Sequence, residues 1–141
     1  MTTKNLIKAM AAGAALAAAT LAGAAELEME VGGKTYPITL ADHPGTASLM
    51  AQLPVTVVFE DYGSTERIAY LPGKLATSGA PQSTKPETGD ITYYIPWGNL
   101  AVFVKPFRES NGLMPLGHLT QEALDAIKAS GNAKVVFRAK K

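Results

Sequence analysis

Two arginines and a run of aromatic side chains are the residues of this sequence best suited to chemistry. A guanidinium is a permanent cation with a planar fork of five donors, so Arg67 or Arg108 could orient an anionic or carbonyl-bearing ligand. Each also has a plainer use. Arg67 falls in a strand, where it can pair across a ladder; Arg108 precedes Glu109, which offers a surface ion pair. Five of the ten aromatic residues, Tyr93, Tyr94, Trp97, Phe103 and Phe107, fall within 15 residues. Tyr93 and Tyr94 are adjacent, so in a strand one faces inward and the other outward. The outward tyrosine, with Trp97 at a turn and Phe103 and Phe107 beyond it, could line an apolar groove with a polar rim. Equally, Trp97 could pack the end of a barrel, with its indole N–H on a backbone carbonyl.

Other constellations are absent. His118 follows Gly117 in an extended segment, where it could line a site or serve structure. His43 adjoins Asp42 and precedes Pro44-Gly45, a setting for a cap or turn. The two histidines show no metal-ligand spacing, and no metal or cofactor is expected. No cysteine occurs, which excludes disulfides and thiolate catalysis. No glycine-rich loop leads from a strand into a helix to hold phosphate. Thirteen basic against 12 acidic residues form no basic stripe, so nucleic acid is not an expected partner.

The elements that must position these residues begin after an address. Lys4 and Lys8 precede an apolar run from Ala9 to Leu21, and Ala22-Gly23-Ala24 follows as a small-residue cleavage site. This is the pattern of a secretory signal peptide; the run falls short of the ~20 apolar residues of a membrane span. Cleavage after Ala24 leaves one domain, residues 25–141, in the periplasm or the medium, with no membrane attachment. Leu27–Val31 and Lys34–Leu40 both alternate about Gly32-Gly33, which predicts a hairpin with Met29 opposite Tyr36 and Leu27 opposite Ile38. Pro37 cannot donate to a ladder and should lie where no partner needs its nitrogen.

Thr46 is a cap signal for a short helix over Ala47–Leu53, stopped by Pro54. Strands are expected at Val55–Glu60, Glu66–Leu71, Asp90–Ile95 and Leu100–Val104, with a turn at Asp61–Ser64. Leu100–Val104 is apolar throughout, as if both faces were covered. Residues 76–88 have no apolar period and read as a lid, a binding loop or a meander packed by Pro81 and Pro86. Leu116–Leu119 is extended. Thr120 caps a helix over Gln121–Ser130 whose apolar stripe is Ala123, Leu124 and Ile127, and Ala133–Arg138 is the last strand. No β–α–β rhythm appears. The fold class is therefore mainly β: a closed antiparallel barrel of about eight strands with two short helices. Its interior is filled by side chains, which leaves the outer face and the loops for a site.

The segment Gly89–Phe103, with Tyr94-Ile95-Pro96-Trp97-Gly98-Asn99-Leu100 at its centre, resembles the cyclophilin-like domain family. So do Ser110–Gly117 and Asp61–Pro72, and the resemblance covers nearly all of residues 26–120. It implies a reduced cyclophilin barrel, found in small bacterial proteins without a common assigned role. True cyclophilins are prolyl isomerases: an arginine donates toward the prolyl nitrogen beside a glutamine, in a pocket of Phe, Met, Leu and Trp. That donor weakens the amide resonance behind a rotation barrier of ~18–20 kcal/mol. Here the Phe-His-Arg signature has no counterpart, and the glutamine position reads Ala101. The functional expectation is a non-catalytic module that binds a small molecule or a proline-containing peptide through Tyr94, Trp97, Phe103, Phe107, Arg108 and His118. The alternatives are a minimal isomerase using Arg67 or Arg108, and an accessory module whose aromatic surface meets a protein partner.

Overall fold

The structure, a computed structural model, describes residues 25–140; the expected signal peptide and its cleavage site lie outside them. Strands β1 (Ala25–Val31) and β2 (Lys34–Leu40) form the hairpin in the register read from the sequence, Met29 opposite Tyr36 and Leu27 opposite Ile38. Gly32 and Gly33 take φ of 62° and 79°, the two positive values that a type I′ turn demands. Pro37 is exposed, and the next strand pairs with β2 only over Ile38–Leu40.

Helix α1 spans Pro44–Gln52, three residues earlier than its apolar pattern suggests. The cap is His43, not Thr46. His43 Nδ1 accepts from the Gly45 and Thr46 amides (3.0 and 3.4 Å), and Thr46 Oγ1 accepts from the His43 amide (3.2 Å). Pro44 explains the shift, because its fixed φ and missing N–H suit the first helical position. His43 Nε2 also lies 2.7 Å from the Pro115 carbonyl, tying the helix start to the barrel.

The chain continues through β3 (Val55–Val58), β4 (Glu60–Tyr62) and β5 (Glu66–Tyr70). After β6 (Ser83–Thr84) come β7 (Asp90–Tyr94), β8 (Asn99–Phe103), β9 (Ser110–Asn111) and β10 (Leu113–Leu119), then α2 (Gln121–Ala129) and β11 (Lys134–Ala139). One nine-stranded antiparallel sheet runs in the order β3-β11-β1-β2-β10-β7-β8-β5-β4. Its two end strands are consecutive in the chain and joined by Phe59 alone, so the sheet curls into a nearly closed barrel. The ninth strand arises because the expected strand Val55–Glu60 breaks at Phe59, and Tyr62, expected in a turn, belongs to β4.

Inside the barrel lie Leu27, Met29, Ile38, Leu40, Val57, Tyr93, Leu100, Val102, Met114, Leu116 and Phe137, all buried. Phe59 meets Phe137 edge to face at 6.4 Å. Helix α2 closes one end with Ala123, Leu124 and Ile127, and Thr120 Oγ1 caps it at the Ala123 amide (3.1 Å). Strands β2 and β10 come so close at Gly117 that a Cβ there would lie 2.1 Å from the Thr39 carbonyl oxygen. The strand-poor segment 76–88 is pinned as a meander: β6 pairs with β9, the Gln82 carbonyl accepts from the Gly112 amide (2.8 Å), and Pro86 is buried.

Candidate functional site

Strand alternation places two apolar clusters on opposite faces of the same strands. Ala69, Ile91, Tyr93, Leu100, Val102 and Met114 point into the barrel. Ile68, Ala101, Phe103 and Leu113 form a second cluster on the outer face, with Tyr94 and Phe107 packed on it. This is why every residue of β8 is buried. The segment 105–112 supplies Phe107, which stacks on Phe103 at 5.9 Å with 27° between the rings.

A groove of about 450 Å³ opens above this outer cluster. Phe103, Ile68 and Leu113 belong to its floor, and Phe107, Arg108 and Asn111 to the loop side. Opposite stands Trp97, 50% exposed, in the turn between β7 and β8. Gly98 holds that turn with φ of 71° and an amide bond to the Tyr94 carbonyl (2.8 Å). Trp97 meets both Tyr62 and Tyr94 edge to face, each at 5.6 Å, with interplanar angles of 85° and 77°. The three rings therefore form corners rather than a stack.

Polar groups occupy defined places. Register sets Tyr62, Glu66 and Phe103 in one row across β4, β5 and β8. Glu66 is half-buried, and burial pushes its carboxyl above the ordinary carboxylate range. Among the described residues no cation lies within 4.0 Å of it. Asn99, 1% exposed, donates through Nδ2 to the Leu100 carbonyl (3.0 Å), while its Oδ1 has no partner among the described residues. The Arg108 guanidinium lies 4.4 Å from the centroid of the Phe107 ring, a cation–π contact. Glu109 accepts from the Ser83 hydroxyl (2.6 Å).

Of the residues singled out in the sequence, Tyr94, Trp97, Phe103, Phe107 and Arg108 meet in this groove. Arg67 does not. It points to the opposite side from Glu66 and Ile68 and is buried. Its five N–H groups are all used: on Asp61 Oδ1 (2.9 Å), the Ile127 carbonyl (2.7 Å), Ser130 Oγ (2.8 Å), the Phe59 carbonyl (3.3 Å) and the Gly131 carbonyl (2.9 Å). It is thus not free for a ligand; it does pair across the ladder, with Asp61 directly opposite on β4, but it is buried and also fastens β5 to the C-terminal end of α2. His118 is also elsewhere, exposed beside Asp90 Oδ1 (2.8 Å) in a separate hollow of about 570 Å³ with Gly89 and Gln121. Tyr62, Glu66 and Asn99 complete the groove without having been singled out. The β4–β5–β8 register would have found the first two, but it required Tyr62 to be read as strand. Among the described residues no three His, Asp or Glu side chains gather as a metal set, and no helix is long and apolar enough to cross a membrane.

Comparison with curated proteins yields no match. Among solved structures, the solution structure of the hypothetical protein AF2241 from Archaeoglobus fulgidus superposes with a TM-score of 0.63 at 15% identity, over 84% of this chain and 96% of that one. At that identity the likeness concerns the fold alone. The model of the cyclophilin-like family matches residues 29–138, which takes in the barrel and the groove, and the chain belongs to that family.

Proposed function

We propose that the protein is an exported, non-catalytic binding module that holds a small ligand in the outer-face groove. One observation carries this reading: an apolar floor is walled by an aromatic corner whose central ring, Trp97, is half exposed. A solvated tryptophan over a dry floor leaves apolar area for a ligand to cover, at ~25 cal/mol per Å². The volume of about 450 Å³ lies in the range of small-molecule sites. Export rests on the charged, apolar and small-residue order of residues 1–24.

Prolyl isomerisation is the second reading, and the position of Arg108 in the groove favours keeping it. The same experiment separates the two. Amide NMR spectra are followed during titration with a small-molecule library and a set of Xaa-Pro peptides, with exchange spectra recorded on the peptides. Shifts confined to the surroundings of Tyr94, Trp97, Asn99 and Phe107, without faster cis–trans exchange, support the binding module. Accelerated exchange that Arg108→Ala abolishes makes the protein an isomerase. Shifts spread over a broad surface on adding a protein partner, with none for small molecules, replace both readings with an accessory role.

A further inference from the structure

We infer that the ligand of this groove is a small organic cation, a protonated amine on an apolar or aromatic body, seated between Trp97, Tyr62 and the carboxylate of Glu66. The inference rests on the groove being the binding site and names the chemistry it selects.

The first argument is an unanswered charge. Glu66 lies half-buried in the groove wall with no cation within 4.0 Å among the described residues. Moving a carboxylate out of water without a partner is costly, and the fold gains nothing in return. The opposite behaviour is seen elsewhere on the same barrel, where Arg138 answers Glu28 and Glu30, and Lys140 answers Glu26. The groove is thus the place where a carboxylate is set against apolar surface and left open.

The second argument is what surrounds that carboxylate. Tyr62 and Phe103 are its direct cross-strand neighbours, at the Cβ spacing of ~4.5–5.5 Å typical of such pairs. Trp97 stands edge-on to Tyr62 at 85°. Perpendicular rings present π faces to a corner, and a cation over a π face is attracted by the ring quadrupole, most strongly over tryptophan. The protein already uses this contact within the groove, where the Arg108 guanidinium rests against Phe107.

The third argument is the sign of the remaining polar atoms. Two carboxylates, Glu66 and Glu109, stand against one guanidinium in the lining. An anion would meet Arg108 but leave Glu66 unanswered; a protonated amine answers Glu66 with N–H donors.

Trp97 is the only tryptophan, so its fluorescence reports the groove directly. The test titrates the protein with four probes of one shape: phenethylammonium, its N-trimethyl analogue, neutral phenylethanol and anionic phenylpropionate. Phenethylammonium is expected to bind about tenfold tighter than phenylethanol, the ratio for one good cation–π or charge-assisted contact, with phenylpropionate weakest. Glu66→Gln should reduce that preference sharply, leaving only the share due to the Trp97 and Tyr62 faces, and leave phenylethanol unchanged, with its urea midpoint measured alongside to show that it folds. Phenylethanol or phenylpropionate binding as tightly as the ammonium probe overturns the cation assignment while the groove stands as a site. Failure of all four probes to move Trp97 overturns the cation assignment too; if small uncharged fragments still shift the groove amides, the binding-module reading survives, and if none does, it falls as well.

Discussion

Arg67 offers the sharpest test of where structure ends and site begins. Truncation to methionine keeps much of the apolar stem but removes all five donors. The consequences differ among the acceptors. Asp61 is 78% exposed and Gly131 is exposed, so both return to water at little cost. Ile127 keeps the Ser130 hydroxyl at 2.8 Å. The bonds to the Ile127 and Phe59 carbonyls are themselves buried, and both are lost. A hydrogen bond to a charged group contributes roughly 1.5–3 kcal/mol, so losing two buried ones places Arg67→Met at about 3–6 kcal/mol. Asp61→Asn removes only the charge of the exposed partner and should cost under about 1 kcal/mol. Arg67→Lys should recover little, because a point charge with three donors cannot reach five acceptors spread over two segments. Urea unfolding of the three variants measures this, with hydrogen exchange of the α2 amides as a local readout. An Arg67→Met protein that unfolds at the parent's midpoint, with normal α2 protection, would refute the reasoning. Loss of ligand binding in such a protein would return Arg67 to the list of site residues.

Gly117→Ala should destabilise by about 3 kcal/mol or more, or prevent folding, since its Cβ would lie 2.1 Å from a backbone oxygen that no rotamer change can move; thermal unfolding decides. His43→Ala removes the cap of α1 and its link to the Pro115 carbonyl; a drop of about 1–3 kcal/mol in urea stability is expected. Burial raises the Glu66 carboxyl, so between its ordinary value and the raised one the folded chain holds more protons than the unfolded. Stability from this group therefore falls as pH rises through that window and is flat above it. Glu66→Gln should unfold at higher urea than the parent at neutral pH, with the gain shrinking in acid; Arg108 and Glu109, the other charges of the groove, are unchanged in the comparison. Trp97→Ala should leave the unfolding midpoint within about 0.5 kcal/mol of the parent, as befits a half-exposed side chain, while abolishing fragment-induced shifts at Tyr94.

Much of the fold was legible because local and global signals agreed. Alternation in Leu27–Val31 and Lys34–Leu40 and the double glycine between them dictate one register, and that register is observed. Thr120, Glu122 and Lys128 mark α2 at both ends, and its stripe is the buried one. The aromatic part of the groove was legible for the same reason: period two turns Tyr93 in and Tyr94 out, and the uniformly apolar run Leu100–Val104 announced a covered outer face. What escaped depends on contacts distant in sequence. Arg67 reads as a surface strand arginine because nothing nearby reveals that Ile127, Ser130 and Gly131 return to meet it some 60 residues later. His118 lies on β10 as Leu113 does, yet at the other end of the strand, so it belongs to a different hollow. Glu66 carries no motif at all; only its place between Tyr62 and Phe103 makes it notable.

The two apolar clusters let a barrel this small carry an outer-face groove without opening its core. Side chains fill the inner face, and the residues that hold it, Leu100 and Val102 among them, alternate along β8 with those that floor the groove, Ala101 and Phe103. One strand thus fills the barrel with one set of side chains and floors the groove with the other. The separation has a measurable consequence. Substitutions at the exposed wall, Trp97 and Tyr62, should change binding with little effect on unfolding, whereas inner positions such as Val102 should do the reverse. Phe103 is the exception, since it is 1% exposed yet forms the groove floor beneath Phe107. Phe103→Leu should therefore move both quantities together, losing about 1–2 kcal/mol of stability for the missing ring volume and weakening every probe alike, charged or neutral. A Phe103→Leu protein that no longer discriminates among the probes, beside a Glu66→Gln protein that still does, would show that the floor, and not the carboxylate, sets the selectivity of the groove.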